Sequence, residues 1–210
     1  MAHKKDMVKI DDLLEKLDYM KEGKDKIMEA YQYALKKHDG QYRKHDKDTP
    51  YVFHPMVVSL ILKTADFDEK VIAAGLLHDV VEDTRYNIDD ISKLFGGEIA
   101  SLVMTATEPD KSLPWKERKK QQIKVIKDLP VANKAIVCAD KIANLEDLRI
   151  QLRKNGYIES ANWIITWCVG HLVTMSYPEK YDEKLKFWRL DTLPFMPKEY
   201  KYEVDLSGLL

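Results

Sequence analysis

Between Val71 and Val81 almost every side chain is apolar: Val71, Ile72, Ala73, Ala74, Leu76, Leu77, Val80 and Val81 leave no consistently polar face. Asp68 is a suitable N-cap, so the segment reads as a helix from Glu69 to about Val81. A helix that is apolar nearly all round belongs in the middle of a core, with other elements packed about it. The rest of the chain supplies them. Ile27, Ala30, Tyr31, Ala34 and Leu35 recur at helical spacing and stop near Asp39-Gly40. Pro55 opens a helix through Val57, Val58, Leu60, Ile61 and Leu62, since a first helical turn tolerates the missing N–H.

The same reading extends to both ends. Ile10, Leu13, Leu14 and Leu17 form an amphipathic opening segment. Residues Gln41 to Pro50 read as a polar loop. Asn87 or Asp89 caps Ile88 to Phe95, which Gly96-Gly97 closes, and Glu98 to Thr107 follows. Pro114 starts a basic helix to about Lys127, and Pro130 starts another to about Leu152 that Gly156 breaks. Tyr157 to Ser176 read as a long apolar helix, and the tail from Thr192 to Leu210 as irregular. Eight glycines and eight prolines in 210 residues are too few for a fold of many tight β-turns. The expectation is an all-α single domain: an N-terminal helical segment over 1–24, a core over 25–155 and a C-terminal extension over 156–210.

Bulk charge narrows the function. A formal net charge of −1 gives no general attraction to nucleic acid or to anionic membranes. No apolar run reaches the length of a membrane span, and Met1 to Asp12 lacks the apolar core of a signal peptide. Cys138 and Cys168 lie in apolar surroundings and read as buried thiols, not as a disulfide framework. The expected location is the cytoplasm, with a small molecule as partner and a homo-oligomer left open. Trp163 and Trp167, one helical turn apart, read as core or oligomer contacts. His38, His45 and His171 read as structural or surface groups.

The chemistry lies inside the apolar helix. His78-Asp79 interrupts it, and a carboxylate is costly there unless it is paired or bound to a cation. Glu82 and Asp83 follow one turn later, so His78 and Glu82 share one face, and Asp79 and Asp83 the next. Asp140 stands on another apolar segment with Asn144 a turn beyond, and His54 stands at a helix start. Two histidines and two aspartates make a mixed nitrogen and oxygen donor set. It suits Mn²⁺, Fe²⁺, Co²⁺ or Zn²⁺ better than Ca²⁺.

Together these stretches resemble a known family. His38-Asp39-Gly40-Gln41-Tyr42-Arg43-Lys44 and Thr49-Pro50-Tyr51-Val52-Phe53-His54-Pro55 resemble the start of the hydrolase domain of the RelA/SpoT alarmone enzymes. Ala73 to Thr84, with His78-Asp79 and Glu82-Asp83 inside it, is similar to that family's central motif. Phe95-Gly96 and then Ala139-Asp140-Lys141-Ile142-Ala143-Asn144-Leu145 follow in the family's order. The likeness covers roughly residues 25 to 150, and the loop lengths are most similar to small stand-alone alarmone hydrolases, including the metazoan type.

The resemblance implies an HD-domain helical bundle of about ten helices. It implies Mn²⁺ bound by His54, His78, Asp79 and Asp140, with Glu82 and Asp83 as the catalytic acid pair. Arg43, Lys44 and Asn144 then line the nucleotide site. Lys111 and Arg118, in the basic segment around Pro114, are further candidates for phosphate contacts. The implied reaction removes pyrophosphate from the 3′ position of guanosine tetraphosphate or pentaphosphate. Two positions depart from the family: Ala143, where an aromatic or histidine is usual, and Glu146, where an arginine is common. They keep other substrates in view, namely an adenine alarmone, a nucleoside phosphate or NADPH. A non-catalytic nucleotide sensor is the remaining alternative.

Overall fold

The computed structural model describes residues 24–43, 46–107, 112–126 and 128–155, and the strand residues 181–182, 187–189 and 203–205. In chain order its elements are α1 (Lys24–Lys37), β1 (Tyr42–Arg43), β2 (Asp46–Pro50), α2 (Phe53–Thr64), α3 (Glu69–Asp83), α4 (Ile88–Phe95), α5 (Gly97–Ala106), α6 (Trp115–Ile126), α7 (Val131–Asn155), β3 (Tyr181–Asp182), β4 (Phe187–Arg189) and β5 (Glu203–Asp205). Seven helices among the described residues confirm the all-α class. The helices expected around Ile10–Leu17 and Tyr157–Ser176 lie outside the described residues.

The contacts divide the chain into two units. The first is Met1–Thr107 with Val131–Ala143, and the second is Glu108–Pro130 with Asn144–Leu210. In the first unit α3 is the central helix, and α1, α2 and α5 pack against it. Every residue from Val71 to Val80 is buried. Each large apolar side chain among them contributes about 1.5–3 kcal/mol by leaving water. Asp68 caps the helix as expected, its Oδ1 accepting from the N–H groups of Lys70 and Val71, both at 3.0 Å. Gly75 lets α2 come close, since a Cβ there would lie 2.6 Å from Leu62 Cδ1.

Of the two candidate caps for α4, Asn87 is the one used. Its side chain accepts from the Asp90 N–H at 3.1 Å and Asp90 reciprocates to the Asn87 N–H at 3.1 Å, a capping box. Gly96 ends α4 at φ +90°, a conformation that L side chains rarely adopt. In the second unit, β3, β4 and β5 form an antiparallel sheet in that order.

Two stretches differ from the expectation. The supposed polar loop contains the β1–β2 hairpin, with Tyr42 opposite Pro50 and Arg43 opposite Asp46. The supposed irregular tail contains β5. Strands of two to five residues held by backbone pairing carry too few side chains to show an alternating pattern. Helix α2 also starts earlier than expected. Its first residue is Phe53, and Pro55 sits within the first turn.

Candidate metal centre

Three helices of the first unit bring the four candidate ligands together. His54 stands in the first turn of α2, His78 and Asp79 near the end of α3, and Asp140 on α7. His54 Nε2 lies 3.1 Å from Asp140 Oδ1 and 3.6 Å from Asp79 Oδ2. His78 Nε2 lies 3.1 Å from Asp79 Oδ1 and 3.9 Å from Asp140 Oδ1. One ligand atom each from His54, His78 and Asp140 falls within 4.8 Å of the others, a spacing that one cation can bridge. His54, His78 and Asp79 are buried, and Asp140 is half-buried.

The helix itself sets the tautomer of His78. Its Nδ1 donates to the Gly75 carbonyl at 2.8 Å, which leaves the lone pair on Nε2. That Nε2 is buried and has no hydrogen-bond partner, and it faces two carboxylates. A lone pair aimed at anionic oxygens is repelled unless a proton or a cation lies between them. The residues therefore fit a divalent metal.

The protonation equilibria agree. Burial holds the His54 imidazole below its usual range and outweighs the upward pull of Asp140 and Asp79. For His78 burial also acts downward, but the Asp79 and Asp140 carboxylates prevail and the pKa is raised. Burial would raise Asp79, but His78 and His54 hold it below the usual carboxylate value. Asp140 is held well below it, because burial is overcome by the Lys141 ammonium and by His54. The result is two ionised carboxylates facing imidazole nitrogens, with the buried Lys141 paired to Asp140.

Around this cluster the structure places some of the expected residues. Glu82 and Asp83 form the last turn of α3, directly after the ligand pair. Arg43 is half-buried; its guanidinium lies 5.5 Å from the Tyr51 ring, and its charge helps keep His54 neutral. Asn144 follows Asp140 by one turn of α7. Lys44 and Lys111 lie outside the described residues. Arg118 lies on α6, in the second unit.

Residue-by-residue reasoning passed over several contributors. Tyr51 donates from its hydroxyl toward Asp79 Oδ2 at 2.8 Å and Asp83 Oδ2 at 2.7 Å. Gln41 Nε2 donates to the Asp83 backbone carbonyl at 3.0 Å. His38, read as structural, is buried against the Tyr51 ring. Lys141 was the most legible of them, a basic residue directly beside a candidate buried ligand.

Comparison with known proteins adds four findings. The HD domain family model matches residues 30–159. The Drosophila melanogaster guanosine-3′,5′-bis(diphosphate) 3′-pyrophosphohydrolase MESH1 is 42% identical over 144 residues, covering 68% of this chain and 80% of that one. A solved structure of a metazoan ortholog of SpoT that hydrolyzes ppGpp matches with a TM-score of 0.66 at 39% identity, over 72% of this chain and 86% of that chain. A match of another kind is to DNA topoisomerase 3 of Staphylococcus aureus. It is 47% identical over 72 residues, 32% of this chain but 10% of that protein.

Proposed function

We infer the activity from one premise: this chain belongs to the HD domain family. It is a metal-dependent phosphohydrolase. Its substrate is guanosine 3′,5′-bis(diphosphate) or a related 3′-pyrophosphorylated nucleotide, and water cleaves the 3′ ester to release pyrophosphate. The observation that carries this reading is the convergence of His54, His78, Asp79 and Asp140 from three helices upon one buried point.

A phosphorus flanked by anionic oxygens repels a negatively charged nucleophile. A divalent cation, which His54, His78, Asp79 and Asp140 would hold, would supply Lewis acidity there, lowering the pKa of water and screening the phosphate charge. We take that cation to be Mn²⁺, which accepts imidazole and carboxylate together. Glu82 and Asp83 serve as the acid pair: one takes the proton of the attacking water, the other returns a proton to the leaving 3′ oxygen. Arg43 supplies fixed positive charge for the phosphates. Lys44, Lys111, Arg118 and Asn144 are assigned to substrate binding on sequence grounds.

We also propose that the hydrolase core occupies residues 25–155. The HD match over residues 30–159 supports these bounds. No helix among the described residues is long and apolar enough to cross a membrane, which accords with a cytoplasmic enzyme acting on a dissolved nucleotide.

The test is pyrophosphate release from ppGpp by the purified chain, with and without Mn²⁺, alongside a 3′-pyrophosphorylated adenosine nucleotide and NADPH. We expect metal-dependent turnover of ppGpp. Turnover of another member of the panel alone would move the substrate and leave the metal chemistry intact. Inertness toward all of them with metal bound would leave a sensor.

A further inference from the structure

We propose that Tyr51 is a positioning residue that couples the metal ligand Asp79 to the acid Asp83. The proposal rests on the hydrolase reading above and extends it to a side chain without an assigned role. Tyr51 Oη lies 2.8 Å from Asp79 Oδ2 and 2.7 Å from Asp83 Oδ2, so one hydroxyl bridges two carboxylates on successive turns of α3. A phenol has one proton. It donates to one of these oxygens at a time, and the stronger acceptor holds it.

That makes the bridge sensitive to the charge at the centre. Asp79 Oδ2 also faces His54 Nε2 at 3.6 Å, on the side where the ligand atoms converge. A cation there would draw electron density from the Asp79 carboxylate and weaken it as an acceptor. The Tyr51 hydroxyl would then turn its proton to Asp83 and fix that carboxyl group in place. Occupancy of the metal centre is thereby felt at the acid.

The phenol is held firmly enough to act in this way. Its ring stacks on His38 at 4.8 Å and meets the His54 ring edge-on at 6.3 Å. The Tyr51 N–H donates to the Gln41 carbonyl at 2.9 Å. The Gln41 side chain donates to the Asp83 carbonyl at 3.0 Å and accepts from His38 Nδ1 at 2.8 Å. The carbonyls of a helix's last turn lack partners within the helix. Here one of them is satisfied by the same segment that supplies Tyr51. Asp83 is thus held through its backbone and its side chain by the two residues that flank the β1–β2 hairpin.

The test is a double-mutant cycle in the full chain: Tyr51→Phe, Asp83→Asn and the pair, read by melting temperature, Mn²⁺ titration calorimetry, and kcat and KM on ppGpp. Tyr51→Phe is expected to keep the fold and KM, and to lower kcat by about 10- to 100-fold, as loss of an aligned acid–base group implies. In the Asp83→Asn background the same change should lower kcat by less than about threefold, because coupled residues are not additive. Unchanged kcat, a KM effect alone, or equal losses in both backgrounds would overturn the proposal.

The Mn²⁺ isotherms decide the matter even if ppGpp is not the substrate. Asp83→Asn should shift Mn²⁺ affinity when Tyr51 is present and leave it unchanged when Tyr51→Phe is also made. The same shift in both, or none in either, would remove the coupling without touching the hydrolase assignment. Absent ppGpp turnover in the parent chain would instead count against the hydrolase assignment.

Discussion

His54 Nε2 lies 3.1 Å from Asp140 Oδ1, although one belongs to α2 and the other to α7, with three further helices of the first unit between them in sequence. That contact exists only once the helices have packed. Metal affinity and folding of the first unit are therefore linked, because the unfolded chain cannot present these donors together.

Asp79→Ala should remove Mn²⁺ binding and hydrolysis together. Both imidazoles approach the candidate ligand Asp79, at 3.1 and 3.6 Å. In the parent chain a saturating excess of about 100 Kd of Mn²⁺ stabilises the fold by roughly 2.7 kcal/mol, and the variant should show no such gain in a thermal melt. A variant that still binds the metal and turns over at the parental rate would end the proposed mechanism.

Glu82→Gln keeps the side-chain volume and removes the titrating group. Metal content should be unchanged, and kcat should fall by a factor on the order of 10² or more. Metal analysis with steady-state kinetics separates this from ligand loss. Parental turnover in the variant would make Glu82 a bystander.

The pH dependence follows from His78. Its pKa in the metal-free protein is raised, so it keeps its proton somewhat above the usual value of about 6.5. Mn²⁺ must displace that proton, so affinity should tighten as pH rises through the raised value, with proton release on binding. Calorimetry in two buffers of different ionisation enthalpy measures it, and a pH-independent Kd would contradict it. For stability the sign is opposite. The His78 contribution to the metal-free fold is fully present below the unfolded value and is lost as pH rises through the folded one.

If the hydrolase core ends near residue 155, Trp163→Ala and Trp167→Ala should leave kcat/KM on ppGpp within about threefold of the parent, as energetically independent sites do. A loss of tenfold or more in a folded variant would bind the extension to the catalytic unit.

The sequence made some of this legible and concealed the rest for physical reasons. Buried helices announce themselves, because an apolar run that leaves no polar face is hard to produce by chance; the sequence reads α3 and its Asp68 cap to within a few residues. The four ligand candidates stood out because charge inside an apolar segment needs an explanation. Tyr51 did not stand out, since a tyrosine in a Pro-flanked stretch is ordinary until its hydroxyl is seen between two carboxylates. The β1–β2 hairpin was hidden by its brevity. Gln41 was hidden because its bond to the Asp83 carbonyl joins residues that only the fold makes neighbours.

Gly75 serves the centre in two ways: its carbonyl accepts from His78 Nδ1 at 2.8 Å, and its bare Cα faces Leu62 of α2. It stands one turn before His78-Asp79, where an added Cβ would lie 2.6 Å from Leu62 Cδ1. Adding one carbon at this position would force Leu62 to shift in the helix that carries His54, so the upkeep of the donor atoms extends into the dry interior one turn away.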